Sequence, residues 1–195
     1  MRVGVALFDG VEELDWAGPW EVLGMWSRRW PEDGIELVSV ADDDRPVTCA
    51  KGIRVLPDLS WPTAGRLDVL IYPGGEGTQR QLGHGDPVHT RLTELADDGT
   101  LLASVCTGAL VFAAAGLLRG RPATTHWRWL DRLRELDPTI DVRPDERFVD
   151  SGRIVTSAGG SAGIDMTLHL VSRLHSRERA AQVRRAIQYE PQPPV

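Results

Sequence analysis

Cys106 stands in a sequence setting that suits a cysteine nucleophile. It follows the apolar run Leu101–Val105 and precedes a helical pattern, and its neighbours include the small residues Ser104, Thr107 and Gly108. Small neighbours allow a sharp strand-to-helix turn that projects the side chain at a helix N-terminus. There the helix dipole and the free N–H groups favour a thiolate and lower its pKa. The same pattern also fits an ordinary buried cysteine at a strand end, because free cysteine is among the most buried residue types.

The glycine pair Gly74-Gly75 is a candidate for holding a substrate. Glycines let the backbone approach closely, so the N–H groups of Gly75 and Thr107 are expected to converge as an oxyanion hole. The alternative is a tight turn after the predicted strand Val69–Tyr72. The segment around these glycines lacks the spacing of a phosphate-binding loop.

Asp15 and His126 are the candidate proton-transfer groups. Asp15 lies between Leu14 and Trp16, where burial would raise its pKa and suit proton exchange with a neighbour. An acidic helix start, in which the carboxylate favours the helix dipole, is the alternative. His126 is a candidate base for Cys106, or else a helix-start histidine satisfied by threonine hydroxyls. The remaining histidines have no ligand spacing, so we expect no metal site.

Parallel strands flanked by helices must position these groups. Near-continuous apolar runs predict strands buried on both faces, at Val3–Phe8, Ile35–Val40, Ile53–Leu56, Val69–Tyr72 and Leu101–Val105, with a late hairpin of Phe148–Asp150 and Ile154–Thr156. Helical patterns fall between them, at Ala17–Arg28, Val88–Ala96, Thr107–Leu118, Trp127–Leu136, Ala162–Leu174 and Arg177–Tyr189. This alternation predicts a doubly wound α/β sandwich with a mostly parallel sheet. Its reactive groups are expected at the carboxyl ends of the strands.

Length and composition limit the classes of protein that remain. The 195 residues fit one domain, predicted over residues 1–190 with a tail at 191–195. A net charge of −6 disfavours nucleic acid or an anionic membrane as partner, and the N-terminal apolar run, residues 3–8, is far shorter than the roughly 20 residues of a membrane span. Two cysteines and no secretory signal predict a reduced, cytoplasmic protein. Lys51, the only lysine, lies in a predicted surface strand and would be the one candidate for a Schiff base.

Several segments together resemble the ThiJ/PfpI superfamily. They are Glu13-Leu14-Asp15, Tyr72-Pro73-Gly74-Gly75, Ser104-Val105-Cys106-Thr107-Gly108-Ala109 and Ala123-Thr124-Thr125-His126-Trp127. Within the superfamily the sequence is most similar to the isonitrile hydratase branch, which Ala114–Leu118, Ala162–Asp165 and Tyr189–Pro191 also resemble. The resemblance runs from Met1 to the C-terminus. It implies a class I glutamine-amidotransferase-like (flavodoxin-like) sandwich and a homodimer.

The resemblance also implies roles for individual residues and a reaction. The implied catalytic residues are Cys106 (the nucleophile at the elbow), Asp15 (the acid hydrogen-bonded to the thiol) and Thr107. The implied substrate-binding residues are Gly74, Gly75 and His126. The thiolate would attack an isonitrile carbon, protonation through Asp15 would give a thioimidate, and water would release an N-substituted formamide and the free thiol. This reaction uses a small-molecule substrate and needs no cofactor.

Departures from sister branches weaken some alternatives and leave others open. Thr107 stands where protease-like members have histidine, and Arg128 stands where glutaminase triads have an acid. Deglycase or glyoxalase-type stress proteins share an acid, a cysteine and a histidine resembling Asp15, Cys106 and His126, but their acid is usually glutamate. Arabinose-regulator-type transcription factors carry a similar N-terminal domain followed by a helix-turn-helix region, and the sequence ends at residue 195 without one. We therefore expect a hydratase, with a stress protein or a non-catalytic thiol or ligand sensor as alternatives.

Overall fold

A seven-stranded, mostly parallel β-sheet forms the centre of the protein. The computed structural model describes residues 1–191, with strands β1 (Arg2–Ala6), β2 (Glu36–Ala41), β3 (Val47–Thr48), β4 (Arg54–Val55), β5 (Leu59–Ser60), β6 (Val69–Tyr72), β7 (Leu101–Val105), β8 (Pro122–Ala123), β9 (Asp141–Val142), β10 (Phe148–Asp150) and β11 (Ile154–Ser157). The order across the central sheet is β10-β11-β7-β6-β1-β2-β5. β10 runs antiparallel to β11, and the other neighbouring pairs are parallel. This is the flavodoxin-like arrangement that the sequence predicted.

Helices cover both faces of this sheet. They are α1 (Glu13–Arg29), α2 (Trp61–Ala64), α3 (Pro87–Asp97), α4 (Gly108–Ala114), α5 (Leu130–Leu136), α6 (Ala162–Leu174) and α7 (Arg177–Ala186), with 3₁₀ turns at Pro31–Asp33, Glu76–Leu82 and Trp127–Trp129. Side chains of β7 alternate between two apolar cores, so that Ala103 and Val105 pack with α1, α6 and α7 and Leu102 packs with α2 to α5. The strand is therefore buried on both faces, which holds its carboxyl end rigidly in place.

Helix ends differ from the prediction where local backbone geometry decides them. α1 begins at Glu13, one turn earlier than expected, and takes Pro19 into its interior. Proline there removes the helical hydrogen bond to the carbonyl of Asp15. α4 ends at Ala114, and Gly116 beyond it adopts φ +76°. α7 ends at Ala186 rather than at the predicted Tyr189.

The predicted strand Ile53–Leu56 does not join the central sheet. Its residues 54 and 55 form β4, which pairs with β3 in a separate antiparallel ribbon. Lys51 lies in the turn between these two strands rather than in a strand itself. Its ammonium group contacts Glu12 and lies 3.7 Å from Glu13, which ties the ribbon to the start of α1.

The extent of the domain and its tail stays a prediction. Beyond Pro191, the predicted tail lies outside the described residues. None of the helices within residues 1–191 combines the length and the apolar character needed to cross a bilayer.

Candidate active site

Cys106 lies in a strained turn between β7 and α4. Its φ is +57°, in the left-handed region that costs a residue other than glycine roughly 1–2 kcal/mol. The backbone around it is anchored, since its N–H donates to the carbonyl of Ser157 at 3.2 Å and its carbonyl accepts from the Thr125 hydroxyl at 2.7 Å. Gly108 follows at a point where a Cβ would collide with the carbonyl of Tyr72. The backbone thus holds Cys106 in a tight turn at the junction of β7 and α4.

A cavity of about 460 Å³ opens at the carboxyl ends of β6 and β7, within the size range of small-molecule sites. Its buried lining residues are Asp15 and Thr107, and its half-buried ones are Glu12, Gly75, Cys106, His126, Trp129 and Gly160. The exposed ones are Leu14, Glu76, Gln79 and Arg128. The cavity thus brings together five of the six predicted site residues, and Gly74 lies directly behind it.

Asp15 is fully buried beside the thiol. Its Oδ2 accepts the N–H of Gly74 and its Oδ1 accepts the N–H of Gly160, both at 3.1 Å. Burial, together with the negative charge of Glu12, raises the pKa of Asp15 to about 6, although the two N–H groups act in the opposite direction. The raised pKa that the sequence predicted is present, and its main cause is burial.

The pKa of the Cys106 thiol is raised, not lowered as the helix dipole had predicted. Burial is the larger cause, and the adjacent Asp15 carboxylate is the next. The N–H of Thr107 favours the thiolate but does not outweigh them. Because two negative charges side by side repel each other, Cys106 and Asp15 share one proton near neutral pH. A carboxylate thus lies directly beside a protonated thiol.

Both glycines of the pair after β6 are required by close backbone contacts. A Cβ on Gly74 would lie 2.6 Å from both N and Oγ1 of Thr107 and 2.8 Å from Oδ2 of Asp15. Gly75 has φ +127°, and a Cβ there would collide with the backbone of residues 10–12. The N–H of Gly75 donates to Oγ1 of Thr107 at 2.9 Å. This amide is already satisfied, so it does not converge on the cavity with the Thr107 amide as the sequence had predicted.

His126 lines the cavity without bonding to Cys106. Its Nδ1 accepts the N–H of Arg128 at 3.2 Å, and its ring stacks on Trp127 with the ring centroids 5.5 Å apart. No hydrogen bond among residues 1–191 joins it to Cys106. Burial and the charge of Arg128 lower the pKa of His126, which disfavours the protonated ring. In this arrangement His126 is not placed to accept the proton of Cys106 directly.

Sequence reasoning missed Thr78 and Gly160. Thr78 is fully buried, and its hydroxyl lies 3.0 Å from the Thr107 hydroxyl. Gly160 supplies one of the two N–H groups that hold Asp15. The available signal was the glycine pair at residues 159–160, which follows a strand just as Gly74-Gly75 does.

The second cysteine lies apart from the cavity, and the described residues form no cluster of metal ligands. Cys49 is buried outside the cavity, and burial raises the pKa of its thiol. Across residues 1–191, no three His, Cys, Asp or Glu side chains come together in a way that could hold a metal ion. Cys106 and Asp15 are therefore the cysteine and the buried carboxyl that the cavity brings together.

A flavodoxin-like sheet with a cysteine in a strained strand-to-helix turn defines the class of protein. The chain belongs to the DJ-1/PfpI family, whose characteristic sequence pattern matches residues 1–173. It is 35% identical over 195 residues to an isonitrile hydratase of Pseudomonas putida, covering 100% of this chain and 81% of that protein. It is 32% identical over 188 residues to the HTH-type transcriptional regulator GbdR of Pseudomonas aeruginosa, covering 96% of this chain and 50% of the regulator.

A solved structure agrees with this assignment. The chain superposes on a ThiJ/PfpI family protein from Pseudomonas syringae with a TM-score of 0.86 and 29% identity, covering 100% of this chain and 77% of that one. The resemblance to the ThiJ/PfpI superfamily that the sequence segments indicated is confirmed.

Proposed function

We propose that this protein is a cysteine-dependent hydratase that converts an isonitrile into an N-substituted formamide. The observation that carries the proposal is the pairing of Cys106, in its strained turn, with a buried carboxyl whose pKa is raised to about 6. The similarity to the Pseudomonas putida isonitrile hydratase spans the whole chain and supports the same reaction. The retained aspartate distinguishes the site from sister branches that use glutamate.

In the first step the sulfur of Cys106 forms a bond to the terminal carbon of the isonitrile. The thiol proton passes to Asp15 and from there to the same carbon, which gives a thioimidate with a C–H bond and a C=N bond. Asp15 suits this transfer because it is buried beside the sulfur and exchanges its proton near neutral pH. The two backbone N–H bonds keep its carboxyl group fixed during the exchange.

In the second step water adds across the C=N bond of the thioimidate, its oxygen bonding to carbon and one of its protons to nitrogen. The proton of the new hydroxyl group is the one that later returns to sulfur. The C–S bond then breaks, the sulfur regains a proton through Asp15, and an N-substituted formamide leaves. The N–H of Thr107 stabilises negative charge on the departing sulfur. In the net reaction one isonitrile and one water give one N-substituted formamide, so the reaction needs no oxidant, reductant or cofactor. The apolar side chains of Leu14 and Trp129 line the cavity where the N-substituent would lie.

The test is formamide formation from an aryl isonitrile, followed by ultraviolet absorbance. We expect turnover by the wild type, a loss on the order of 10³-fold or more in Cys106→Ala, and nearly normal turnover in Cys49→Ala, whose side chain lies outside the cavity. A wild-type protein that forms no formamide would contradict the proposal. Glyoxals and peroxide would then separate a deglycase or glyoxalase-type protein from a thiol sensor.

A further inference from the structure

Thr78 is a buried hydroxyl that lies behind the cavity and does not line it. It belongs to the 3₁₀ segment Glu76–Leu82, and none of its surface is exposed. Its Oγ1 lies 2.7 Å from the carbonyl oxygen of Gly75 and 3.0 Å from Oγ1 of Thr107. Thr78 therefore bridges the glycine turn after β6 and the residue that follows the reactive cysteine.

The hydrogen bonds around Thr78 form a closed group. The Thr107 Oγ1 accepts the N–H of Gly75 at 2.9 Å and lies 3.3 Å from the carbonyl of Gly75. Without the Thr78 hydroxyl, that carbonyl keeps the backbone N–H of Thr78 at 3.1 Å, and the Thr107 hydroxyl keeps only the N–H of Gly75 and its long contact with the carbonyl. A buried hydroxyl that loses its shorter hydroxyl partner is held less firmly, so the Thr107 side chain would be less fixed.

The position of the Thr107 side chain controls the peptide group next to the sulfur. Threonine is β-branched and stiff at χ1, so fixing its Oγ1 also fixes the direction of its backbone N–H. That N–H faces the Cys106 sulfur and favours its thiolate. Cys106 itself is held at φ +57°, so the peptide bond between the two residues needs external support.

We propose that Thr78 is a positioning residue: its hydroxyl holds Gly75 and Thr107 together so that the Thr107 N–H stays directed at the Cys106 sulfur. The inference rests on the proposed role of Cys106 as the nucleophile. It makes Thr78 act through Thr107, without contact with the substrate.

The test compares Thr78→Val, which removes the hydroxyl, with Thr78→Ser, which keeps it. Thr100→Val is the matched control, since Thr100 is also a buried threonine whose hydroxyl donates to a carbonyl, that of Leu67 at 2.8 Å, but lies before the amino end of β7. The readout is the rate of alkylation of Cys106 by iodoacetamide across pH, followed by peptide mass spectrometry so that Cys49 is counted separately. The titratable and charged groups facing the site stay unchanged in all three variants: Glu12, Asp15, Glu76, His126 and Arg128.

We expect Thr78→Val to slow alkylation about tenfold at fixed pH, as loss of one hydrogen bond to a charged group predicts, and to lower kcat for the isonitrile with KM little changed. Thr78→Ser should restore the rate to within about twofold, and Thr100→Val should match the wild type. Normal alkylation in Thr78→Val, equal slowing in Thr78→Ser, or equal slowing in Thr100→Val would each overturn the inference. Alkylation needs no isonitrile, so the alkylation rates test the role of Thr78 independently of turnover. A wild type that alkylates but does not turn over isonitrile would contradict the proposed function only.

Discussion

Asp15 and Cys106 are two acidic groups in a buried setting that favours a single negative charge between them. Asp15 has no exposed surface, and its two oxygens are occupied by the N–H groups of Gly74 and Gly160. Burial raises the pKa of both groups. The thiol therefore keeps its proton until the carboxylate accepts it. Such a pair is suited to adding both the sulfur and a proton to the same carbon atom.

The raised pKa of Asp15 predicts how stability depends on pH. The folded protein binds this proton more tightly than the unfolded chain, so the stabilisation is present below about pH 4 and is lost as the pH rises through about 6. A shift of about two units corresponds to roughly 3 kcal/mol. We therefore expect the unfolding free energy of the wild type, relative to Asp15→Asn, to fall by about that amount between pH 4 and 7.5. Urea unfolding at both pH values measures this difference, and a constant difference would show that Asp15 ionises normally.

Gly74 is the glycine whose replacement should disturb the site most directly. In Gly74→Ala the new methyl group would lie 2.6 Å from the backbone nitrogen of Thr107, an overpacking that typically costs about 1–3 kcal/mol. We expect that loss in unfolding free energy together with slower alkylation of Cys106. Gly83→Ala is the control, because no atom lies within 4 Å of the added Cβ and φ is −65°. Equal effects of the two substitutions would contradict the contact argument.

At the scale of elements, β6 and β7 place their carboxyl ends side by side and α4 starts just beyond them. The bounds of the two strands were predictable from the sequence, because strands buried on both faces leave continuous apolar runs. The contacts between Gly75 and Thr107 were not predictable, since they join segments about 30 residues apart and depend on one hydroxyl rotamer. The raised pKa of Cys106 was missed for a related reason: the helix dipole is visible in a local pattern, whereas burial and the approach of Asp15 depend on the assembled fold.

The strained turn makes a prediction about two substitutions at the same position. Alanine keeps the steric cost of φ +57° at residue 106, whereas glycine adopts this conformation freely. We expect Cys106→Gly to be more stable than Cys106→Ala by about 1 kcal/mol, the reverse of the order found inside helices. Urea unfolding of the two variants measures the difference. If Cys106→Ala had an unfolding free energy equal to or higher than that of Cys106→Gly, the backbone at residue 106 would not be strained, contrary to this prediction.

At the level of the whole molecule, three of the five large apolar side chains exposed within residues 1–191 lie near the start of α1 and the ribbon that Lys51 ties to it, the other two being Met1 and Trp127. Leu14 is 44% exposed, Ile53 55% and Leu56 67%. Isolated apolar side chains on a surface are ordinary, but these three belong to connected segments. The resemblance implies a homodimer, and we expect a second copy of the chain to cover these side chains.

Sedimentation measures this assembly. We expect a species of twice the 21.5 kDa chain mass at micromolar concentration, and a shift towards the monomer when a charge is placed at the most exposed position of the ribbon, in Leu56→Asp. A wild type that sediments as a monomer would contradict the dimer, and a dimer unchanged by Leu56→Asp would place the interface elsewhere.

The proposed reaction requires a bond between the Cys106 sulfur and the isonitrile carbon, and this bond can be trapped. Wild-type protein is mixed with excess aryl isonitrile, quenched rapidly in acid, and analysed by intact mass and peptide mapping. We expect a transient gain equal to one isonitrile on the peptide that contains Cys106, absent in Cys106→Ala and slower to form in Asp15→Asn. Formamide production with an unmodified Cys106, or an adduct on a different residue, would contradict the proposed reaction.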